Sequence, residues 1–169
     1  VLLSNPNRYC KIEQFEKEAR VSTRYIYNMK EALLNREWAQ FDNKGLKLNE
    51  PESLLQEWSN VYQTEDKDHY SFYSLLTPSE FEARMKEACN DLKVRYALSG
   101  LSGAFRLVPF VRYHRVNLYL EDKVNEFVKS MDLKSVTSGE NVTIMKPLDD
   151  GVFYDMRDMG EVSVVSPIQ

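Results

Sequence analysis

What this chain has little of narrows its class. Only two of its 169 residues are cysteine, Cys10 and Cys89, with no CxxC and no neighbouring histidine, so neither a disulfide framework nor a Cys/His zinc site is indicated. Both read as small core side chains. Two histidines, His69 and His114, leave the usual nucleophile and base pairings without a nearby partner in the sequence. No apolar run approaches the roughly 18 to 20 residues that cross a bilayer, and the opening VLLSNPNRY lacks the order of a signal peptide. The expectation is a soluble, cytoplasmic, globular protein with no membrane association, and with no metal or other cofactor.

Charged and apolar residues are present in globular proportion, 28% and 43%, but the charge is unevenly placed. Residues 1–50 hold nine Lys/Arg against seven Asp/Glu, whereas residues 51–169 hold thirteen against nineteen. A small module that approaches phosphates, joined to a larger one that does not, has this asymmetry.

The opening segment reads as the last turn of a helix cut short by Asn5-Pro6-Asn7, so the chain is expected to begin inside its first element. KIEQFEKEA places Ile12, Phe15 and Ala19 at helical spacing. RVS interrupts this pattern, and Ser22 is a suitable N-cap for a second helix that turns Ile26, Met29, Leu33 and Leu34 to one face. Two strand-like runs, Trp38 to Phe41 and Leu46 to Leu48, flank Asp42-Asn43-Lys44-Gly45, where Gly45 suits a bulged hairpin turn. Helix, three-residue turn, helix, hairpin is the order of a winged helix-turn-helix, assigned to residues 1–50.

From Pro51 the pattern changes, and residues 51–169 are assigned to a second domain that includes a linking helix with Leu54, Leu55, Trp58 and Val61 as its stripe. EDKDH is a charge run and YSFYSLL a strand; TPSEFEARMKEACNDL carries Thr77 as N-cap, Pro78 at the first position and Glu80 as the return arm of a capping box. VRYAL and RVNLYL read as strands around SGLSGA and a short helix, and EDKVNEFVKSM as a further helix. KSVTSG, NVTIMKP, GVFYD and EVSVVSP read as strands. The fold class is α+β or α/β, an N-terminal winged helix followed by an α/β domain with a mixed sheet.

Few groups here suggest chemistry. GLSGA approximates a nucleophile elbow around Ser102, but its last glycine is alanine and no acid-then-histidine order follows; a tight turn with a serine cap explains it equally. The same turn lacks the lysine of a phosphate-binding loop. Glu121 and Lys123 match the acid-x-Lys half of a Mg2+-dependent nuclease site, while Glu121 and Asp122 also suit the first turn of a helix. Arg106, Arg112, His114 and Arg115 fall within ten residues among aromatics, a possible contact for phosphate or an acidic partner.

The second helix asks for more explanation. Packing accounts for Ile26, Met29 and Leu33, but not for Tyr25 and Tyr27. An outward face bearing Thr23, Arg24, Tyr27 and Asn28 offers arginine for guanine edges, asparagine for adenine edges and hydroxyls for phosphates. Lys44 at the hairpin tip and Lys47 on its return strand are placed to meet the DNA backbone. The predicted DNA-binding set is Ser22, Thr23, Arg24, Tyr27, Asn28, Lys44 and Lys47, with double-stranded DNA as partner. A winged helix that docks protein instead, and a nuclease targeted by one, are the alternatives.

Taken in order, VSTRYIYNMKEALLNREWA, the hairpin, LNEPESLLQEW, YALSGLSGAFRLVPFVRY, GENVTIMKP, GVFYD and VVSPIQ resemble the AbiEi-type antitoxins of type IV toxin-antitoxin systems. The resemblance implies a non-enzymatic regulator whose winged-helix domain represses its own operon and whose C-terminal domain counters a nucleotidyltransferase-like toxin. It also implies a first winged-domain helix longer than the one here, and a further apolar helix after SPIQ.

Overall fold

A computed structural model describes residues 1–61, 69–110, 112–160 and 162–167 of the chain, although the Val61 side chain is not among them. The chain forms two compact units, Val1–Thr64 and Glu65–Gln169. Residues 65–68 of the predicted charge run lie outside the described residues.

In the first unit, α1 (Ile12–Ala19) and α2 (Thr23–Asn35) are joined by Arg20, Val21 and Ser22. Arg20 takes the left-handed conformation and closes α1 by donating its N–H to the Glu16 carbonyl. Ser22 caps α2, its hydroxyl accepting from the Tyr25 N–H at 3.3 Å. An antiparallel hairpin follows, β1 (Ala39–Asp42) and β2 (Gly45–Leu48), and then α3 (Pro51–Val61). Phe15, Ile26, Leu33, Ala39, Leu46 and Leu48 are buried together, with Met29, Leu34 and Leu54 packed against them.

Three details differ from the sequence pattern. Residues 1–8 form turns in which Asn5 N–H reaches the Leu2 carbonyl and Arg8 N–H the Asn5 carbonyl, because bonds across three residues accommodate Pro6 where an α-helix would not. Ala19 is exposed, since α1 ends on it and turns away. The hairpin pairs Asp42 with Gly45 in regular register, without a bulge. Gly45 is required by crowding as well as by its φ of +122°: a Cβ there would sit 2.6 Å from the Cys10 carbonyl oxygen. That carbonyl accepts from Leu46 N–H at 2.9 Å, and Cys10 N–H returns a 2.8 Å bond to Leu46, so the segment before α1 joins the hairpin edge.

The second unit is a mixed seven-stranded sheet in the order β6-β3-β7-β5-β4-β9-β8. Its strands are β3 (His69–Tyr73), β4 (Tyr96–Ser99), β5 (Val116–Leu120), β6 (Lys134–Ser135), β7 (Val142–Met145), β8 (Arg157–Asp158) and β9 (Ser163–Val164). β5 runs parallel to β7 and β4 to β9, and the other pairs are antiparallel. The helices are α4 (Pro78–Leu92), α5 (Gly100–Leu107) and α6 (Val124–Ser130). Alternation along the strands sends Leu98, Leu118, Leu120, Val142 and Ile144 to one face, against Phe81 and Met85 of α4 and Phe127 of α6. Each such fully buried side chain contributes about 1.5–3 kcal/mol. Ala97, Tyr119 and Val165 form a smaller cluster with Val152 and Phe153.

The capping box of α4 is present: Thr77 Oγ accepts from Glu80 N–H, and the Glu80 carboxylate accepts from Thr77 N–H at 2.9 Å. GVFYD, read as a strand, is instead a 3-10 turn, Asp150–Phe153, because Asp149 caps it by accepting from Gly151 N–H at 2.8 Å. α6 begins after Lys123, whose left-handed φ of 58° leaves Glu121 and Asp122 outside the first turn where they were expected.

Candidate nucleic-acid interface

Burial does not explain the outward side of α2. Ile26 and Leu33 face the core, while Tyr25 is 62% exposed and Tyr27 45%, and Thr23, Arg24 and Asn28 are also exposed. A solvent-facing tyrosine gives up apolar burial for a hydroxyl and a ring that can meet a ligand. The Thr23 hydroxyl donates to the Glu16 carboxylate, so that side chain already ties α2 to α1.

Cations and aromatic rings alternate around the hairpin. Lys30, one turn after Tyr27, places its ammonium 4.8 Å from the Tyr27 ring centre and 4.6 Å from that of Phe41 on β1. Lys44 and Lys47 each stand 5.6 Å from the ring centre of Tyr9. The turn itself is closed by Asp42, whose carboxylate accepts from Lys44 N–H at 2.7 Å. Cross-strand register puts Phe41 with Leu46 on the face toward α2, and Gln40 with Lys47 on the opposite face. The predicted residues therefore divide: Thr23, Arg24, Tyr27 and Asn28 lie on α2, and Lys47 is turned to the far face of the hairpin. Lys30 and Tyr9 were not anticipated. The three-residue spacing of Tyr27 and Lys30 carries a signal for the first; nothing local marks Tyr9, which depends on the Cys10 to Leu46 pairing.

The arginine-rich stretch of the second unit is arranged differently from its sequence reading. Arg106 is turned inward, its guanidinium paired with Glu82, which is only 1% exposed. Tyr113 donates its hydroxyl to the other Glu82 oxygen at 2.5 Å, and its ring lies 5.2 Å from Phe105. Burial first, and the Glu82 carboxylate second, push the Tyr113 phenol up to about 12. Arg115 pairs with Glu140 at 3.0 Å, while Arg112 and His114 are exposed. Glu82 was missed, although it lies three and seven residues before the buried Met85 and Cys89, a spacing that places an acid on an apolar stripe.

The remaining motifs are engaged within the fold. Ser102 is fully buried, its hydroxyl donating to the Ser99 carbonyl at 2.8 Å and accepting from Asn117 N–H at 3.0 Å. Gly103 lets α5 lie directly on β4, since a Cβ there would be 2.8 Å from the Leu98 carbonyl oxygen. Glu121 and Asp150 both bind Arg95, at 2.5 and 2.6 Å, which holds the Glu121 carboxyl below the usual carboxylate range. Lys123 donates to the Leu92 carbonyl at 2.7 Å. The acid-x-Lys pair is thus occupied by contacts inside the unit, and no group of three or more His, Cys, Asp or Glu among the described residues could hold a metal ion. No helix among the described residues is long and apolar enough to cross a membrane.

Residues 47–169 match the family described as "Transcriptional regulator, AbiEi antitoxin, Type IV TA system". The match spans most of the chain, from β2 to its end, and the chain belongs to that family. No curated protein and no solved structure matches.

Proposed function

We propose that this member of the AbiEi antitoxin family binds double-stranded DNA at its own promoter through its N-terminal unit and represses its operon. Residues 1–50 serve as a winged helix-turn-helix, and residues 51–169 supply the antitoxin function against a nucleotidyltransferase-like toxin. The observation that carries the reading is the exposed face of α2. A helix capped by Ser22 after a three-residue turn presents Arg24, Tyr25, Tyr27 and Asn28 outward, with a lysine-tipped hairpin immediately after it. Arginine and asparagine supply the bidentate donors and acceptors that distinguish guanine and adenine in the major groove. Arg24, Lys44 and Lys47 have no carboxylate partner among the described residues, so their charge is available to phosphate. The family description names both a transcriptional regulator and an antitoxin, and its match covers residues 47–169.

A gel-shift titration of the chain against its own promoter tests the proposal. A sequence-specific shift that weakens at least tenfold in the Arg24→Ala, Tyr27→Ala double variant is the expected result, at about 1–3 kcal/mol per lost base contact. A protein that shifts no promoter fragment, or whose shift ignores the double substitution, would show that α2 does not read DNA.

A further inference from the structure

We propose that the Tyr9 hydroxyl and the Lys44 and Lys47 ammonium groups gathered at its ring form a phosphate-binding site for duplex DNA on the hairpin face away from α2. The inference rests on the reading of this unit as a DNA-binding module, and adds to it a residue outside the helix-turn-helix and hairpin.

The geometry begins with the backbone. Cys10 and Leu46 exchange N–H to carbonyl bonds at 2.8 and 2.9 Å, an isolated antiparallel bridge that sets residue 10 beside β2. Because Cys10 and Leu46 are both buried, alternation turns their neighbours Tyr9 and Lys47 to the other face. The Lys47 and Lys44 ammonium groups, one from β2 and one from the turn, then approach the same ring at the same 5.6 Å. Two flexible four-carbon stems are thereby gathered, and less of their freedom remains to be lost on binding.

Charge and hydrogen bonding both leave this cluster incomplete. Among the described residues neither ammonium has a carboxylate partner, and the nearest turn acid, Asp42, accepts the Lys44 backbone N–H. Two positive charges held at one ring repel each other, and an anion between them relieves that repulsion. Gln40 donates its side-chain amide to the Tyr9 hydroxyl oxygen at 2.6 Å. A phenol both accepts and donates; with its oxygen accepting from Gln40, its own hydrogen is available outward. One hydroxyl donor and two ammonium groups, with no carboxylate paired to either ammonium among the described residues, match the oxygens of neighbouring phosphates along one DNA strand.

Anisotropy titrations of the whole chain with a labelled random-sequence duplex of about 20 base pairs, from ~50 to ~200 mM salt, separate these contributions. Each lysine lost should reduce the slope of log affinity against log salt by about 0.9, so the Lys44→Ala, Lys47→Ala double variant should lose nearly 2. Tyr9→Phe keeps the ring beside both lysines and removes only the hydroxyl; it should weaken binding about three- to tenfold with the slope unchanged. Trp38 and Trp58, the two tryptophans, both lie in the first unit, so their fluorescence on unfolding verifies that each variant is intact. Tyr9→Phe binding within about twofold of wild type, or a double variant with the wild-type slope, would overturn the phosphate site while leaving promoter recognition by α2 standing. A wild-type chain that binds neither the random duplex nor its promoter would overturn both.

Discussion

Replacing Arg106 should destabilise the second unit more than any substitution on its surface. Arg106 is the guanidinium partner of Glu82, a carboxylate almost wholly removed from water. Arg106→Ala leaves that charge buried with only the Tyr113 hydroxyl to meet it, and orphaning one member of a buried ion pair costs about 3–5 kcal/mol. Tyr113→Phe removes one hydrogen bond to a charged acceptor, about 1.5–3 kcal/mol. Replacing both members of the ion pair should be milder than Arg106→Ala alone, because Glu82→Met with Arg106→Met takes the buried charge away together with its partner. Urea unfolding followed by far-UV circular dichroism reads the effect. With a slope of about 1–3 kcal/mol per molar, the Arg106→Ala midpoint should fall on the order of 2 M. Tryptophan fluorescence belongs to the other unit and serves as a separate channel. Two results would refute the reasoning: an Arg106→Ala cost below about 1 kcal/mol, or a double variant whose cost equals the two single costs added together.

Three further outcomes follow from the same geometry. Gly45→Ala should destabilise the first unit by roughly 2–4 kcal/mol, since its Cβ would meet backbone atoms of Cys10 at a strained φ; tryptophan-detected unfolding at the wild-type midpoint would contradict this. The Tyr113 phenol, raised to about 12 in the folded chain from about 10 unfolded, contributes stability that is complete below about pH 10 and lost as pH rises towards 12. Burial raises the Tyr96 phenol as well, so ultraviolet titration should show late tyrosine ionisation from both, and Tyr113→Phe should remove one tyrosine from it, together with part of the unfolding in that window. Burial raises both thiols, Cys89 to about 12, so at pH 8 neither cysteine should react with a disulfide reagent until the chain is denatured. Rapid labelling of native protein would place one of them at the surface.

Local signals in the sequence determined much of this fold. Ser22 and the Thr77, Pro78, Glu80 box mark their helices because capping is satisfied within four residues. The mixed sheet was legible from short apolar runs alternating with amphipathic ones. GVFYD was misread because Val152 and Phe153 are consecutive apolar residues that pack against Tyr119 and Val165, while Asp149 ties the backbone into a turn. The contacts of the candidate sites were harder to read. Tyr9 reaches Lys44 and Lys47 through a bridge joining residues 10 and 46, and Glu82 meets Arg106 and Tyr113 across 24 and 31 positions. Contacts at such separation leave no period in the sequence.

Pairing, rather than the sum of charges, decides which basic residues can meet a partner. Three arginines and a histidine between positions 106 and 115 look like the stronger anion site, yet Arg106 neutralises Glu82 and Arg115 pairs with Glu140, leaving Arg112 and His114 exposed. In the first unit Arg8 and Arg36 are likewise paired, with Glu18 and Glu57, whereas Arg24, Lys44 and Lys47 have no carboxylate partner among the described residues. An ammonium without a carboxylate neighbour need not break an existing contact to meet phosphate, so its whole attraction is available for binding. On the proposed DNA-binding reading, the small excess of two positive charges in residues 1–50 understates the cationic surface that unit offers to phosphate, and the arginine count overstates that of residues 106–115. Neutralising Lys44 and Lys47 together should accordingly flatten the salt dependence of DNA binding more than neutralising Arg106 and Arg115 together. Equal slopes in the two double variants would show that pairing within the fold does not govern which cations reach the nucleic acid.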